Sequence, residues 1–147
     1  FLLKVRQSMS EEKNRREAQR WLTTAQDDLG SASILAKNAH YAHACFHTQQ
    51  AAERSLKAVW IYEDADPWGY SVKKLIDGLA DVNTTVYKYF AQYTSAGMVL
   101  DRFYIPTRYP NGLPDLAPAE DFDANDAETC LRLAEIVVSA AELYIAE

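Results

Sequence analysis

The sequence predicts an all-α protein, an antiparallel up-and-down bundle of four long helices plus one short helix. Apolar residues recur at spacings of three and four along most of the chain, and no stretch alternates convincingly with the period of a strand. The segment from Tyr41 to Asp64 contains neither Gly nor Pro. At 147 residues, 48% of them hydrophobic, the chain fits one domain with a single core. We expect an N-terminal tail over residues 1–9 and one helical domain over residues 10–147.

The first predicted helix runs from Ser10, a candidate N-cap, to Asn38. Asp28 lies at the edge of its apolar face, which comprises Trp21, Leu22, Ala25, Leu29, Ala32, Leu35 and Ala36. Only a short break separates this helix from the next, so the two should pack antiparallel. This pairing places Asp28 near the level of Gln50 and Glu53.

The second predicted helix, Tyr41 to Asp64, is the segment around which the bundle is organised. Its apolar arc contains Cys45, Phe46, Ala52, Leu56, Val59 and Trp60, and Glu53 lies inside that arc. A carboxylate in such a position needs a partner because burying an unpaired charge is costly. The opposite side carries a polar stripe, defined by His43, His47, Gln50, Arg54 and Lys57, that faces RNA, a partner subunit or solvent. His43 and His47 are spaced as metal ligands can be, but no further ligand is evident, so no metal site is predicted.

Three further helices and one long loop complete the predicted bundle. Ser71 caps a short helix, and Asn83 or Thr84 begins a fourth helix that runs to about Tyr104, with Gly97 as a candidate bend. Residues 106–122 hold four of the five prolines and form a long irregular loop of the kind that is usually functional or disordered. Asp123 or Asn125 begins the last helix.

Two groups of residues are candidate sites. Arg102, Tyr104, Arg108 and Tyr109 combine cations that bind phosphate with rings that stack on bases, which suits a nucleotide pocket. A packed loop with surface arginines is the alternative. Asp28, Glu53 and Arg108 form a candidate buried polar cluster, in which Arg108 pairs with one or both acids and anchors the loop. The cluster is either a functional polar site or a purely structural one. A pair of acid–base carboxylates is a third possibility.

Charge and cysteine content limit the function. The net charge is −6, and residues 111–147 carry nine acidic residues against one arginine, so no broad basic surface for long duplex DNA is predicted. No apolar run approaches the length of about 18 residues that spans a membrane, and the three consecutive apolar residues at the start are too few for a signal peptide. Cys45 and Cys130 are expected to be buried thiols of a cytoplasmic protein.

Several motifs resemble one known family. The first helix reads A-x-x-W-L-x-x-A-x-x-D-L, the second reads Y-x-x-A-C-F-x-x-Q-Q-A-A-E-R-S-L-K-A, and S-V-K-K-L-I and R-Y-P (108–110) follow in order. Together they resemble the bacterial HEPN (higher eukaryotes and prokaryotes nucleotide-binding) domain over most of residues 15–145. The resemblance implies a helical bundle that is commonly a homodimer, and in many members the partner of a minimal nucleotidyltransferase. Other members are metal-independent ribonucleases, often toxins of toxin–antitoxin pairs.

The resemblance also implies which branch this chain joins. The ribonuclease branch carries an Arg followed by a His four to six residues later, whereas no Arg stands at that distance before His40, His43 or His47. A His that often precedes the third-helix Ser is Tyr70 here. We therefore expect no catalytic residues and no cofactor, but a homodimeric protein that binds a nucleotide or a separate nucleotidyltransferase. The alternative is a divergent ribonuclease that uses His47 with Arg54 or Arg102.

Overall fold

A computed structural model describes residues 2–113 and 115–146, and the side chains of residues 10–109, 111–113 and 115–146. It confirms the all-α bundle, and no β-strand occurs in these ranges. Three long helices form the centre and four short ones complete it. They are α1 (Leu2–Lys37), α2 (Tyr41–Tyr62), α3 (Val72–Val82), α4 (Thr84–Ala91), α5 (Thr94–Asp101), α6 (Pro118–Asp121) and α7 (Ala124–Ala146). None of the helices in the described ranges is long and apolar enough to cross a membrane.

Helix α1 begins at Leu2, eight residues before the predicted start at Ser10, so Ser10 lies within the helix and does not cap it. The first turns contain neither Gly nor Pro, so nothing in that segment opposes helix propagation.

Helix α2 is the centre of the bundle because it packs against α1, α3, α5 and α7. The predicted polar stripe is therefore wrong as a continuous solvent-facing surface. His43 is exposed, but Gln50 is buried and the Lys57 side chain is only 12% exposed. The periodicity of the apolar arc could not show this, because Gln50 and Lys57 are polar residues whose hydrogen bonds and ion pair are made within α2 itself.

The predicted fourth long helix is two helices, α4 and α5, that meet at Gln92 and Tyr93. Asn83 caps α4 as predicted, because its side chain accepts hydrogen bonds from two backbone N–H groups. Gly97 does not bend a helix but lets α5 approach α3 closely. A Cβ atom at Gly97 would lie 2.9 Å from Cγ1 of Val72.

The loop that follows α5 contains a 3₁₀ turn at Pro110–Gly112 and the short helix α6. Asp123 caps α7, since its carboxylate accepts from the backbone N–H of Asp126 at 3.0 Å. The core between α2 and α7 includes Cys45 and Cys130, both fully buried and reduced as predicted. Their contact raises the pKa of the Cys45 thiol, chiefly through a hydrogen bond with Cys130 and then through burial.

Candidate functional site

An ion pair joins α1 to α2 where the sequence predicted a buried acid. Nη1 of Arg54 lies 2.9 Å from Oδ1 and 2.7 Å from Oδ2 of Asp28, whose side chain is only 10% exposed. The predicted pairing of Asp28 with Arg108 is therefore wrong. Arg54 was expected to point away from α1, but its long side chain follows the helix surface back to the carboxylate.

Glu53 is also buried, at 3% exposure, as its position in the apolar arc predicted. Its partner is Lys57 on the next turn of the same helix, with Nζ to Oε2 at 3.2 Å. The predicted pairing of Glu53 with Arg108 is thus corrected as well. The Lys57 ammonium also lies over two rings, 5.9 Å from the centroid of Trp21 and 5.4 Å from that of Tyr70. These rings hold the lysine side chain against α2 instead of letting it extend into solvent.

Arg108 is enclosed by aromatic rings rather than by carboxylates. Its guanidinium carbon lies 4.7 Å, 4.4 Å and 4.9 Å from the ring centroids of Phe46, Tyr104 and Tyr109. Nε donates to the backbone carbonyl of Tyr104 at 3.1 Å. Within the described side chains, the terminal nitrogens Nη1 and Nη2 have no hydrogen-bond acceptor. The guanidinium is therefore fixed in position while two of its donor groups remain available.

Two adjacent glutamines connect α2 with the segments that flank it. Nε2 of Gln49 donates to the carbonyl of Tyr70 at 2.7 Å and to Oδ1 of Asp101 at 3.3 Å. Nε2 of Gln50 donates to Oε1 of Gln49 at 2.9 Å and to Oε1 of Glu53 at 3.4 Å. A continuous chain of hydrogen bonds thus runs from the end of α5 to the buried carboxylate of α2.

Asp101 organises the start of α3. Its carboxylate accepts from the hydroxyl of Ser71 at 2.8 Å and from the backbone N–H groups of Val72 and Lys73 at 2.8 and 3.1 Å. Ser71 caps the same helix as predicted, since its Oγ accepts from the backbone N–H of Lys74. The end of α5, the start of α3 and the middle of α2 are therefore held together by polar contacts.

His47 lies beside the ion pair of α1 and α2. Its Nδ1 is 3.9 Å from Oδ1 of Asp28 and has no hydrogen-bond partner among the described residues, although the atom itself is buried. No group of three or more His, Cys, Asp or Glu side chains in the part of the chain described here could hold a metal ion. His43 and Arg102 are both exposed, and within the described structure neither side chain makes a polar contact with the other candidates.

The structure brings together residues of the predicted nucleotide site, the predicted polar cluster and the polar stripe. Two residues that the sequence did not single out as site residues connect them. The ring of Phe46 contacts those of His47 at 5.5 Å and Tyr104 at 6.2 Å. Tyr70 stacks on Tyr104 with centroids 5.7 Å apart and planes inclined by 20°. One face therefore holds what we call the α2 site, defined as Asp28, Phe46, His47, Gln50, Glu53, Arg54, Lys57, Tyr70, Tyr104 and Arg108.

The family of the chain follows from comparison with known proteins. A family model for the HEPN domain matches residues 18–144. The chain belongs to the HEPN domain family. Every residue of the α2 site lies within the matched residues.

Three solved structures have the same fold as this chain. TT1696 from Thermus thermophilus is 35% identical, with a TM-score of 0.77 over 85% of this chain and 95% of that chain. An archaeal HEPN homologue, ST0689, is 26% identical, with a TM-score of 0.71 over 87% and 97% of the two chains. A HEPN domain protein from Thermotoga maritima is 26% identical, with a TM-score of 0.67 over 87% and 98%. Among curated proteins, "Putative toxin MJ1304" of Methanocaldococcus jannaschii is 25% identical over 91% of each chain.

The buried carboxylate of this HEPN domain should be visible in its pH stability. Burial raises the pKa of Glu53 above its ordinary value of 4.5, and the nearby Lys57 ammonium offsets only part of that rise. Because the folded state then binds the proton more tightly than the unfolded state, this contribution favours folding at low pH. It is lost as the pH rises from 4.5 through the higher folded pKa.

We therefore expect the wild-type protein to lose stability relative to Glu53→Gln across that pH window. Thermal midpoints of both proteins at a series of pH values measure the difference. Glu17→Gln, at a half-exposed residue of α1, is the control and should parallel the wild type. Parallel profiles for the wild type and Glu53→Gln would contradict the raised pKa.

Proposed function

We propose that this HEPN protein binds a nucleotide at the α2 site and acts, as a homodimer, as the partner of a separate minimal nucleotidyltransferase, without nuclease chemistry. The observation that carries the nucleotide proposal is Arg108, whose guanidinium is immobilised by three rings while Nη1 and Nη2 stay unpaired in the described structure. A fixed guanidinium with two free donor groups matches the geometry of a phosphate.

The other cations of the α2 site support this assignment by their partners. Arg54 is paired with Asp28 across α1 and α2, and Lys57 is paired with Glu53 within α2, so each of these cations already has a carboxylate partner. Arg108 has no such carboxylate and keeps its full charge for a ligand. The rings around it exclude water from one side of the guanidinium, which strengthens its attraction for an anion.

The interaction part of the proposal rests on exposed apolar side chains near the α2 site. Ile105 and Tyr109 are 45% and 47% exposed, and large exposed apolar patches usually mark interaction surfaces. The rings of Trp60 and Phe90 are buried within the chain, so they do not belong to such a surface. The exposed apolar side chains are the ones that a second copy of the chain or a nucleotidyltransferase would cover. The name of the M. jannaschii relative supports a toxin–antitoxin pair as the setting.

Binding of adenosine monophosphate to the purified protein tests the nucleotide proposal. We expect Arg108→Ala to weaken binding at least tenfold, and Arg132→Ala, which removes an exposed cation of α7, to leave it unchanged. Sedimentation of the same samples should show a dimer at micromolar concentration, and a heavier complex once the nucleotidyltransferase is added. Equal affinities of the wild type and Arg108→Ala would refute the assignment of the phosphate to Arg108. A monomer throughout would refute the assembly.

A second function, RNA cleavage, is favoured by one observation. His47 lies 3.9 Å from Asp28, which also binds Arg54, and an imidazole beside a carboxylate and a cation is a known arrangement for proton transfer. Incubation of the purified protein with RNA decides between the two functions. Cleavage that disappears in His47→Ala, while the variant unfolds at the wild-type temperature, would replace the non-nuclease proposal.

A further inference from the structure

A cavity of about 650 Å³ adjoins the α2 site. It lies between α3, the turn before it and the end of α5, with Trp60 and Leu75 at its base and Trp68, Tyr70 and Tyr104 among its lining residues. Its volume falls in the range of about 300–1,000 Å³ that is typical of small-molecule sites. Gly78 lets α3 pack directly against the ring of Trp60 beside this cavity, because a Cβ there would lie 2.7 Å from that ring.

The aromatic side chains of the cavity are unusually accessible. Trp68 is 74% exposed and Tyr70 is 64% exposed, although both line the same concave surface. An exposed indole beside a cavity presents a flat face that a planar ring can cover. Stacking of this kind is tolerant of the identity of the ring, so it selects a flat aromatic ligand rather than one particular molecule.

Two charged side chains of α3 indicate which chemical groups a ligand in the cavity should carry. Asp81 and Lys74 both line the cavity, and among the described side chains neither has a hydrogen-bond or ion-pair partner. Asp101 also lines it, but its carboxylate already accepts from Gln49, Ser71 and two backbone N–H groups. Asp81 is therefore the carboxylate that is free to accept from a ligand, and a carboxylate accepts from an amine.

The cavity and the cations share two side chains. Tyr70 lines the cavity and carries the Lys57 ammonium over its ring, and Tyr104 lines the cavity and carries the Arg108 guanidinium over its ring. A ligand that joins a planar ring to an anionic group therefore meets a surface for each part. Trp68 and Asp81 line the cavity and Arg108 does not, so we place the ring in the cavity and the anion beside Arg108, with Lys74 as a second cation at the cavity.

We propose that this cavity binds the base of a nucleotide, and that Asp81 selects bases with an exocyclic amine. The inference rests on the proposed function, since it assigns the second half of the ligand whose phosphate Arg108 binds. It adds Trp68 as the stacking residue and Asp81 as a specificity-determining residue.

Three ligands separate the two halves of the site. Adenosine carries the base without phosphate, purine riboside lacks only the exocyclic amine, and inorganic phosphate carries the anion alone. We expect Trp68→Ala to weaken adenosine and adenosine monophosphate at least tenfold and to leave phosphate unchanged. We expect Asp81→Asn to weaken adenosine about fivefold and purine riboside less than twofold. Ile34→Ala, at an apolar α1 residue that is 63% exposed, is the matched control and should change nothing.

Each outcome decides the base site separately from the phosphate site. Adenosine that binds in a Trp68-dependent manner, while Arg108→Ala leaves adenosine monophosphate unaffected, supports the cavity and refutes the phosphate assignment. If the binding of adenosine monophosphate depends on Arg108 but not on Trp68 or Asp81, the base site alone is refuted. Failure of adenosine to bind at all overturns the inference, because the cavity would then bind no base. A Trp68→Ala change that only dissociates a dimer also overturns it, because the cavity would then be covered by a second copy of the chain.

Discussion

We expect Arg54→Ala to lower the free energy of unfolding by about 3 kcal/mol, near the lower end of the range for breaking a buried ion pair. The substitution leaves the carboxylate of Asp28 without its cation at a position where only 10% of that side chain is exposed. The lower end applies because the Arg54 side chain is itself 33% exposed and is partly solvated already. Chemical denaturation of both proteins at neutral pH measures the loss.

An ion pair between two exposed side chains of α3 provides the control. Lys73 and Asp77 form an ion pair at 2.6 Å with side chains 43% and 45% exposed. Lys73→Ala should therefore cost no more than about 1 kcal/mol. A double-mutant cycle of Arg54→Ala with Asp28→Ala should show strong coupling, because each side chain stabilises the other. Additive losses would mean that Asp28 is satisfied by another group and that the ion pair does not hold α1 to α2.

Asp101→Ala should destabilise the fold by a similar amount, about 3 kcal/mol, because it leaves several donors without an acceptor. The Asp101 carboxylate accepts from Ser71, from two backbone N–H groups of α3 and from Gln49. The loss should be concentrated at the start of α3, so amide exchange of Val72 and Lys73 should accelerate more than exchange in α7.

Asp27→Ala serves as the control, since Asp27 is an exposed carboxylate of α1 and should change stability by less than about 0.5 kcal/mol. Asp101→Asn should fall between the two, because the amide retains one acceptor oxygen for a backbone N–H. If Asp101→Ala were no more damaging than Asp27→Ala, solvent would be satisfying the N–H groups of α3, and the contacts of Asp101 would contribute nothing to the position of the site.

Sequence reasoning recovered the helices well where periodicity and caps agreed. Ser71 caps its helix as predicted, and of the two starting positions predicted for each of the next helices, Asn83 and Asp123 are the ones that cap. The fourth helix failed because its apolar period continues through Gln92 and Tyr93, where the backbone nevertheless turns. The start of α1 failed for the opposite reason, since Ser10 looks like a cap but nothing before it stops the helix.

The sequence predicted that two acids of the candidate site are buried, but it did not predict the ion pairs that they form. The positions of Asp28 and Glu53 in apolar arcs correctly marked them as buried acids. Their partners were missed because helical geometry gives the direction of Cα–Cβ, whereas Arg54 and Lys57 have flexible side chains that turn back along the surface. The part played by Phe46 and Tyr70 had no clear signal in the sequence, since it depends on how the 66–71 turn and the end of α5 fold onto α2.

The ring-lined setting of Arg108 has a consequence for the size of ligand that the protein accepts. The molecule as a whole carries a charge of −6, with nine acidic residues in the stretch that directly follows Arg108 in the chain. Because exposed charges are screened beyond about 8 Å at physiological salt, an anion is repelled chiefly by the acidic side chains that it passes closely. A short anion is repelled at one place only and can reach the guanidinium. A long polyanion is repelled at every phosphate that lies near an acidic side chain, so the charge distribution disfavours the binding of extended nucleic acids.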